Sequence, residues 1–165
     1  MTYTVTLCDA SFSDVRTTAI RLEATSSGGT VLSSFNNGPV HGGFGATLSF
    51  TPSRQRFNIE IDTTGTSYAP LVLEDLNGDR QPQTINVVLL SLPTHSGGRR
   101  PSAATDIEKY VQQQGWSNEE IGAVYTTVRA LLYAKRQIGN RLQIMRKNAE
   151  SALGDLGINP NLIVV

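Results

Sequence analysis

The chain has 165 residues, 39% hydrophobic and 17% charged, with 14 basic and 14 acidic side chains and no net charge. That length holds one ordinary domain or two small ones around a core that needs no staples, and the apolar content excludes a disordered chain. The absence of a clustered basic excess speaks against a nucleic-acid partner.

Charge is unevenly shared. Residues 1–92 hold five Arg and no Lys against eight acids, or −3, and residues 93–165 hold nine basic residues against six acids, or +3. The sign change points to two separate units, or to two parts that attract one another. The single cysteine, Cys8, excludes an intramolecular disulfide and a four-cysteine metal site. No basic stretch followed by an apolar one comes after Met1, so no signal peptide is expected. Runs such as Val87–Leu90 fall far short of the ~20 residues that cross a bilayer. The expectation is a soluble, cytoplasmic protein with no membrane partner, although export without an N-terminal signal stays open.

Residues 2–92 read as successive strands. Tyr3, Val5 and Leu7 alternate with threonines, the period of a half-buried strand. Ile20, Leu22 and Ala24 repeat it, and Ser26-Ser27-Gly28-Gly29 turns the chain into Thr30–Phe35. After Asn36-Asn37-Gly38-Pro39, read as a break, come Phe44, Ala46, Leu48 and Phe50, then a turn at Thr51-Pro52-Ser53. Phe57, Ile59 and Ile61 follow, then Tyr68–Leu73, a polar loop Glu74–Gln83, and Ile85–Leu90. Seven strands with turns at this spacing predict an antiparallel β-sandwich. The last strand is apolar on both faces and is expected to lie centrally.

The run Gly45-Ala46-Thr47-Leu48-Ser49-Phe50, then Phe57-Asn58-Ile59-Glu60-Ile61, Tyr68-Ala69-Pro70 and Ile85-Asn86-Val87-Val88-Leu89 resembles the carboxypeptidase regulatory-like, transthyretin-like β-sandwich over residues 2–92. Thr66-Ser67 stands where that family usually has Gly beside its Tyr, and its compact Thr-Asp-x-x-Gly turn is missing. The resemblance implies a non-catalytic accessory module, and fold analogy licenses no narrower function.

Residues 93–102, with two prolines and paired glycines, read as a linker. A short helix begins at Ala103, with Ile107, Tyr110 and Val111 on one face and Gly115 as its stop. Ser117-Asn118-Glu119-Glu120 is a capping box, and Trp116 and Ile121 flank it at staple spacing. From there Ile121, Val124, Val128, Leu131, Ile138, Leu142 and Met145 keep a heptad rhythm through Ala149, Ala152 and Leu156, interrupted by Lys135. A mid-helix Gly139 costs about 1 kcal/mol relative to Ala, yet the phase continues across it. One helix of about 37 residues, roughly 55 Å long, is therefore expected rather than two. The whole chain is then α+β: a seven-stranded antiparallel sandwich (1–92), a linker (93–102), and a helical region (103–165) with one long amphipathic helix and an apolar tail, Leu162-Ile163-Val164-Val165.

Chemistry is sparse. Asp75-Leu76-Asn77-Gly78-Asp79 starts like a calcium loop, but Arg80 replaces the usual Gly, Asn86 cannot close the shell and Pro82 breaks the register. It reads instead as a polar hairpin loop. His41 and His95 have no partner at metal-ligand spacing, Gly42-Gly43-Phe44-Gly45 leads into a strand rather than a phosphate-binding helix, and no Ser stands in a nucleophile elbow. Tyr110, Trp116, Tyr125 and Tyr133 could form a sugar platform, though helical placement favours packing. No catalytic residue, cofactor or metal is expected. Tyr125, Leu132 and Leu153 widen the helix's apolar stripe, which favours a non-enzymatic assembly or adaptor protein that binds a protein partner or forms a homo-oligomer. Its interface would comprise Ile121, Val124, Val128, Leu131, Ile138, Leu142 and Met145, with Leu162, Ile163 and Val164 either adding as a strand to a neighbour or docking on the chain's own core. The alternative is a sandwich that binds a glycan or peptide.

Overall fold

Period-two alternation builds eight strands in a computed structural model that describes residues 2–51, 56–79 and 83–164. They are β1 (Thr2–Cys8), β2 (Arg21–Ser26), β3 (Val31–Asn36), β4 (Gly38–Val40), β5 (Gly43–Ser49), β6 (Arg56–Asp62), β7 (Leu71–Asn77) and β8 (Thr84–Val88). One sheet has the order β4-β5-β1-β8 and the other β3-β2-β6-β7. Together they make a first unit, Met1–Thr66 with Leu71–Leu89. The expected turn at Pro52-Ser53 lies outside the described residues.

The strand faces that alternation marked as inward are buried. Tyr3, Val5 and Leu7 of β1, Leu22 of β2, Leu48 of β5 and Ile59 and Ile61 of β6 are all sealed from solvent. An aromatic trio joins the sheets: Tyr3 lies 5.3 Å from both Phe50 and Phe57, and those two are 5.1 Å apart. The Tyr3 hydroxyl donates to the Gly78 carbonyl at 2.9 Å, so the ring's one polar atom is not stranded. At Gly45 the backbones of β1 and β5 approach so closely that a Cβ would collide with the Val5 carbonyl oxygen.

Three features depart from the sequence expectation of seven antiparallel strands with the last one central. An eighth strand, β4, forms where a break was expected. Its Pro39 has no N–H to give, which suits the edge position it takes. β1 runs parallel to β8, with Val5 opposite Ile85, while pairing antiparallel with β5. β8 is an edge strand. Its apolar run alternates in burial, with Val87 and Leu89 inside and Val88 40% exposed. β7 also runs into the stretch read as a loop. It carries a bulge against β6 at Asp75, whose φ is 59° and whose N–H donates to Asn58 Oδ1. That bulge breaks the alternation on which the reading relied.

Between β1 and β2, the Asp9 carboxylate accepts from the Ser11 N–H and hydroxyl and from the Ser13 N–H. These bonds hold the Asp9 carboxyl below its usual range and form a tight loop with Phe12 at φ 62°. Further on, buried Asn37 donates from Nδ2 to the Val15 and Thr17 carbonyls, pinning the rest of this connection.

The second unit comprises Ser67–Pro70 and Leu90–Val165. The Ser67–Pro70 piece joins it through Ala69 N–H to Leu90 O (2.8 Å) and Leu92 N–H to Ser67 O (2.9 Å). The segment read as a linker is tied down. Gln114 Nε2 donates to Gly97 O at 2.8 Å, the Ser96 hydroxyl to Gln114 O at 2.9 Å, and Trp116 Nε1 to Thr94 O at 3.0 Å. Helices α1 (Ile107–Gln113), α2 (Asn118–Arg136) and α3 (Gln143–Asp155) follow. The expected capping box opens α2: Ser117 Oγ accepts from the Glu120 N–H, and the Glu120 carboxylate accepts from the Ser117 N–H.

The single long helix is not what forms. α2 ends at Arg136, Gln137 turns to an extended ψ of 141°, and Gly139 sits at φ 68°. The chain then re-enters a helix at Gln143, so Gly139 supplies a left-handed conformation that only glycine takes without strain. Heptad phase survives because each helix of the pair needs three-and-four spacing to pack on the other, and the turn length happens to keep them in step. α3 ends in a Schellman motif: Gly157 has φ 84°, Ile158 N–H donates to Leu153 O, and Gly157 N–H donates to Gly154 O. Leu153 and Ile158, the apolar pair of that motif, are fully buried. Tyr110 closes over the same turn, its hydroxyl donating to Leu156 O at 2.6 Å.

Candidate functional site

The helical unit buries one core, made mainly by Ile107, Tyr110 and Val111 of α1, Val124 and Leu131 of α2, and Leu153 of α3. This core decides which expected interface residues reach the surface. Val124, Leu131 and Met145 are buried, and Ile121 and Leu142 are half-buried. Ile138, in the turn between α2 and α3, is 92% exposed.

Lys135, the polar interruption in the heptad, has a specific use. Its ammonium donates to the carbonyls of Ile163 at 2.6 Å and Pro160 at 3.3 Å. The tail therefore docks on its own unit: Pro160–Leu162 is a 3-10 turn, Ile163 is buried, and only Val164 stands out at 75% exposed. Val165 lies outside the described residues.

Docking the tail beside α1 and α2 creates a groove of about 620 Å³. Its floor and walls are Tyr125, Val128 and Leu132 of α2, Ile107 of α1 and Leu162 to Val164 of the tail, with Ala104 and Glu108 at the rim. The volume lies in the range of binding clefts. Tyr125, Val128 and Leu132 follow at intervals of three and four on one helix face. Glu108 is exposed and has no ion-pair partner among the described residues. Burial, followed by the Glu108 charge, raises the Tyr125 hydroxyl above its ordinary pKa. Four expected interface residues, Val128, Leu162, Ile163 and Val164, meet here. Periodicity along α2 could not supply the α1 side of the groove. The only available signal was Ile107 on the apolar face of α1 with an acid beside it.

The remaining sequence candidates do not converge. Tyr110 and Tyr133 are buried, so the four aromatics do not make an exposed platform. Asp75 and Asn77 belong to β7. Asp75 pairs with Arg56 at 3.3 Å, and Asn77 Oδ1 accepts from the Asp79 N–H. Arg80 and Pro82 lie outside the described residues. Among the described residues, no group of three or more His, Cys, Asp or Glu side chains is placed to hold a metal ion, and no helix is long and apolar enough to cross a membrane. No protein-family model and no curated protein sequence matches the chain.

Proposed function

We propose that this protein is a non-enzymatic adaptor whose helical unit docks an amphipathic helical segment of a partner protein. The observation that carries the reading is the groove itself, an apolar trough along α2 lined by one carboxylate, Glu108, that has no ion-pair partner among the described residues. From Tyr125 to Leu132 the trough runs roughly 10 Å along the helix axis, at about 1.5 Å per residue. That length accepts apolar side chains at i, i+3 or i+4, and i+7 of a docked helix. Each large aliphatic anchor buried there contributes about 1.5–3 kcal/mol. Glu108 selects a partner with Lys or Arg beside those anchors, because a like charge opposite it is penalised.

As part of the same proposal, the first unit is an accessory sandwich of the transthyretin-like kind, supported by its two sheets with a shared core. A cytoplasmic location completes the reading. The test is a display library of amphipathic helical peptides selected on the full chain and counter-selected on Leu132→Glu. Enrichment of sequences with helical-face anchors and an adjacent Lys or Arg supports the proposal. Enrichment that persists equally on Leu132→Glu, or sequences without anchors, overturns it.

A further inference from the structure

The face of α1 away from the groove borders a second hollow, of different chemistry. A cleft of about 340 Å³ is lined by Arg99 and Arg100, by Ser102, and by Asp106, Lys109 and Gln113 around the buried Tyr110. Three cations face one acid there, a local balance of +2 in a chain with none overall. None of the three has an ion-pair partner among the described residues. Arg99, Arg100 and Lys109 are all exposed, and their combined field in one hollow attracts an anion.

We propose that this cleft binds a small phosphate monoester that also carries hydroxyl groups, a sugar phosphate being the simplest example. The reading is independent of the groove. Two guanidinium forks and an ammonium suit a tetrahedral oxyanion, and Arg99 and Arg100 each offer paired N–H donors to adjacent phosphate oxygens. Ser102 and the Gln113 amide add neutral donors, more in total than the two oxygens of a carboxylate can accept. Asp106 is the informative exception. An ionised carboxylate repels phosphate but accepts from a hydroxyl, so it suits the alcohol-bearing part of the ligand. The cleft exceeds the space a bare phosphate needs, which leaves room for that part against the wall at Tyr110. The Arg100 charge acts on the Tyr110 phenol, drawing its pKa down against the larger upward effect of burial. A compact knot of charge differs from the extended basic stripe that follows a nucleic-acid backbone.

The experiment titrates the full chain, at constant ionic strength, with sodium chloride, inorganic phosphate, glucose and glucose 6-phosphate, following backbone amide shifts of residues 99–113. Saturable shifts are expected with phosphate, and with glucose 6-phosphate at an affinity roughly tenfold higher. Neither glucose nor chloride should produce them. The double variant Arg99→Ala/Arg100→Ala should weaken both phosphate ligands at least ~10-fold, with an unchanged circular dichroism spectrum because both side chains are exposed. Asp106→Ala should weaken glucose 6-phosphate while inorganic phosphate binds as tightly or more tightly, since the like charge is gone. Chloride shifts matching those of phosphate, shifts that survive in the double variant, glucose 6-phosphate no tighter than phosphate, or tighter binding of a single-stranded oligonucleotide would each overturn the proposal.

Discussion

Replacing Lys135 with methionine tests how the groove is held together. Methionine keeps most of the apolar stem while removing the ammonium that donates to Ile163 O and Pro160 O. Hydrogen bonds from a charged donor contribute about 1.5–3 kcal/mol each. The 3.3 Å contact is the weaker of the two, and the half-buried site lets water replace part of the loss, so the net cost should be about 1–2 kcal/mol. The cost should fall on the tail. Leu162 and Ile163 donate their N–H groups to Asn159 and Pro160 within the turn that Lys135 anchors. Their amide hydrogen exchange should accelerate roughly 5- to 30-fold, while the interior amides of α2 keep their protection. Unchanged exchange at Leu162 and Ile163 would refute the anchoring role. Equal acceleration throughout α2 would show instead that Lys135 acts on the helix as a whole.

Other perturbations separate the two units. Gly45→Ala forces a methyl into the Val5 carbonyl, where the paired backbone cannot yield. It should cost about 3 kcal/mol or more in chemical denaturation of the first unit, and a cost under ~1 kcal/mol would contradict the close approach of β1 and β5. Leu131→Asp places a carboxylate in the helical core and should abolish the cooperative unfolding of that unit. A variant that folds normally but changes oligomeric mass in light scattering would instead place Leu131 at a subunit interface. The Asp9 carboxyl is depressed in the folded state, so its contribution to loop order is present above the unfolded value of about 3.9 and is lost as pH falls through the lower folded value. Amide resonances of Ser11 and Ser13 should therefore stay constant down to about pH 4 and move only below it. Movement centred above pH 5 would refute this bonding.

Strand positions and the capping box were legible because they are written in local signals, namely alternation in β1, β5 and β6 and the Ser117–Glu120 spacing. Features set by pairing were not. The parallel neighbour of β1, the edge position of β8 and the bulge at Asp75 depend on which backbones meet, and alternation is silent on that. Gly139 is the weak point of the expected long helix, and a residue suited to positive φ outweighs heptad phase there. The same phase persists in a helical hairpin, so the glycine was the better signal. Lys135 interrupts the heptad, and its use is not legible locally because its acceptors, the carbonyls of Pro160 and Ile163, lie 25 and 28 residues further on. The groove is half visible in the sequence: Val128, Leu162, Ile163 and Val164 stand out as apolar, while nothing marks Glu108, the acid beside them.

Recognition through this groove is tested most directly by a charge swap, read by calorimetry. The probe is an amphipathic helical peptide with leucines at i, i+3 and i+7 and one flanking lysine, titrated against the full chain and against Glu108→Lys. Binding to the unaltered chain should weaken at least ~10-fold in Glu108→Lys, and a peptide carrying glutamate in place of lysine should recover it there. Equal affinity of both peptides for both proteins, or binding that survives Leu132→Glu, would contradict docking in the groove.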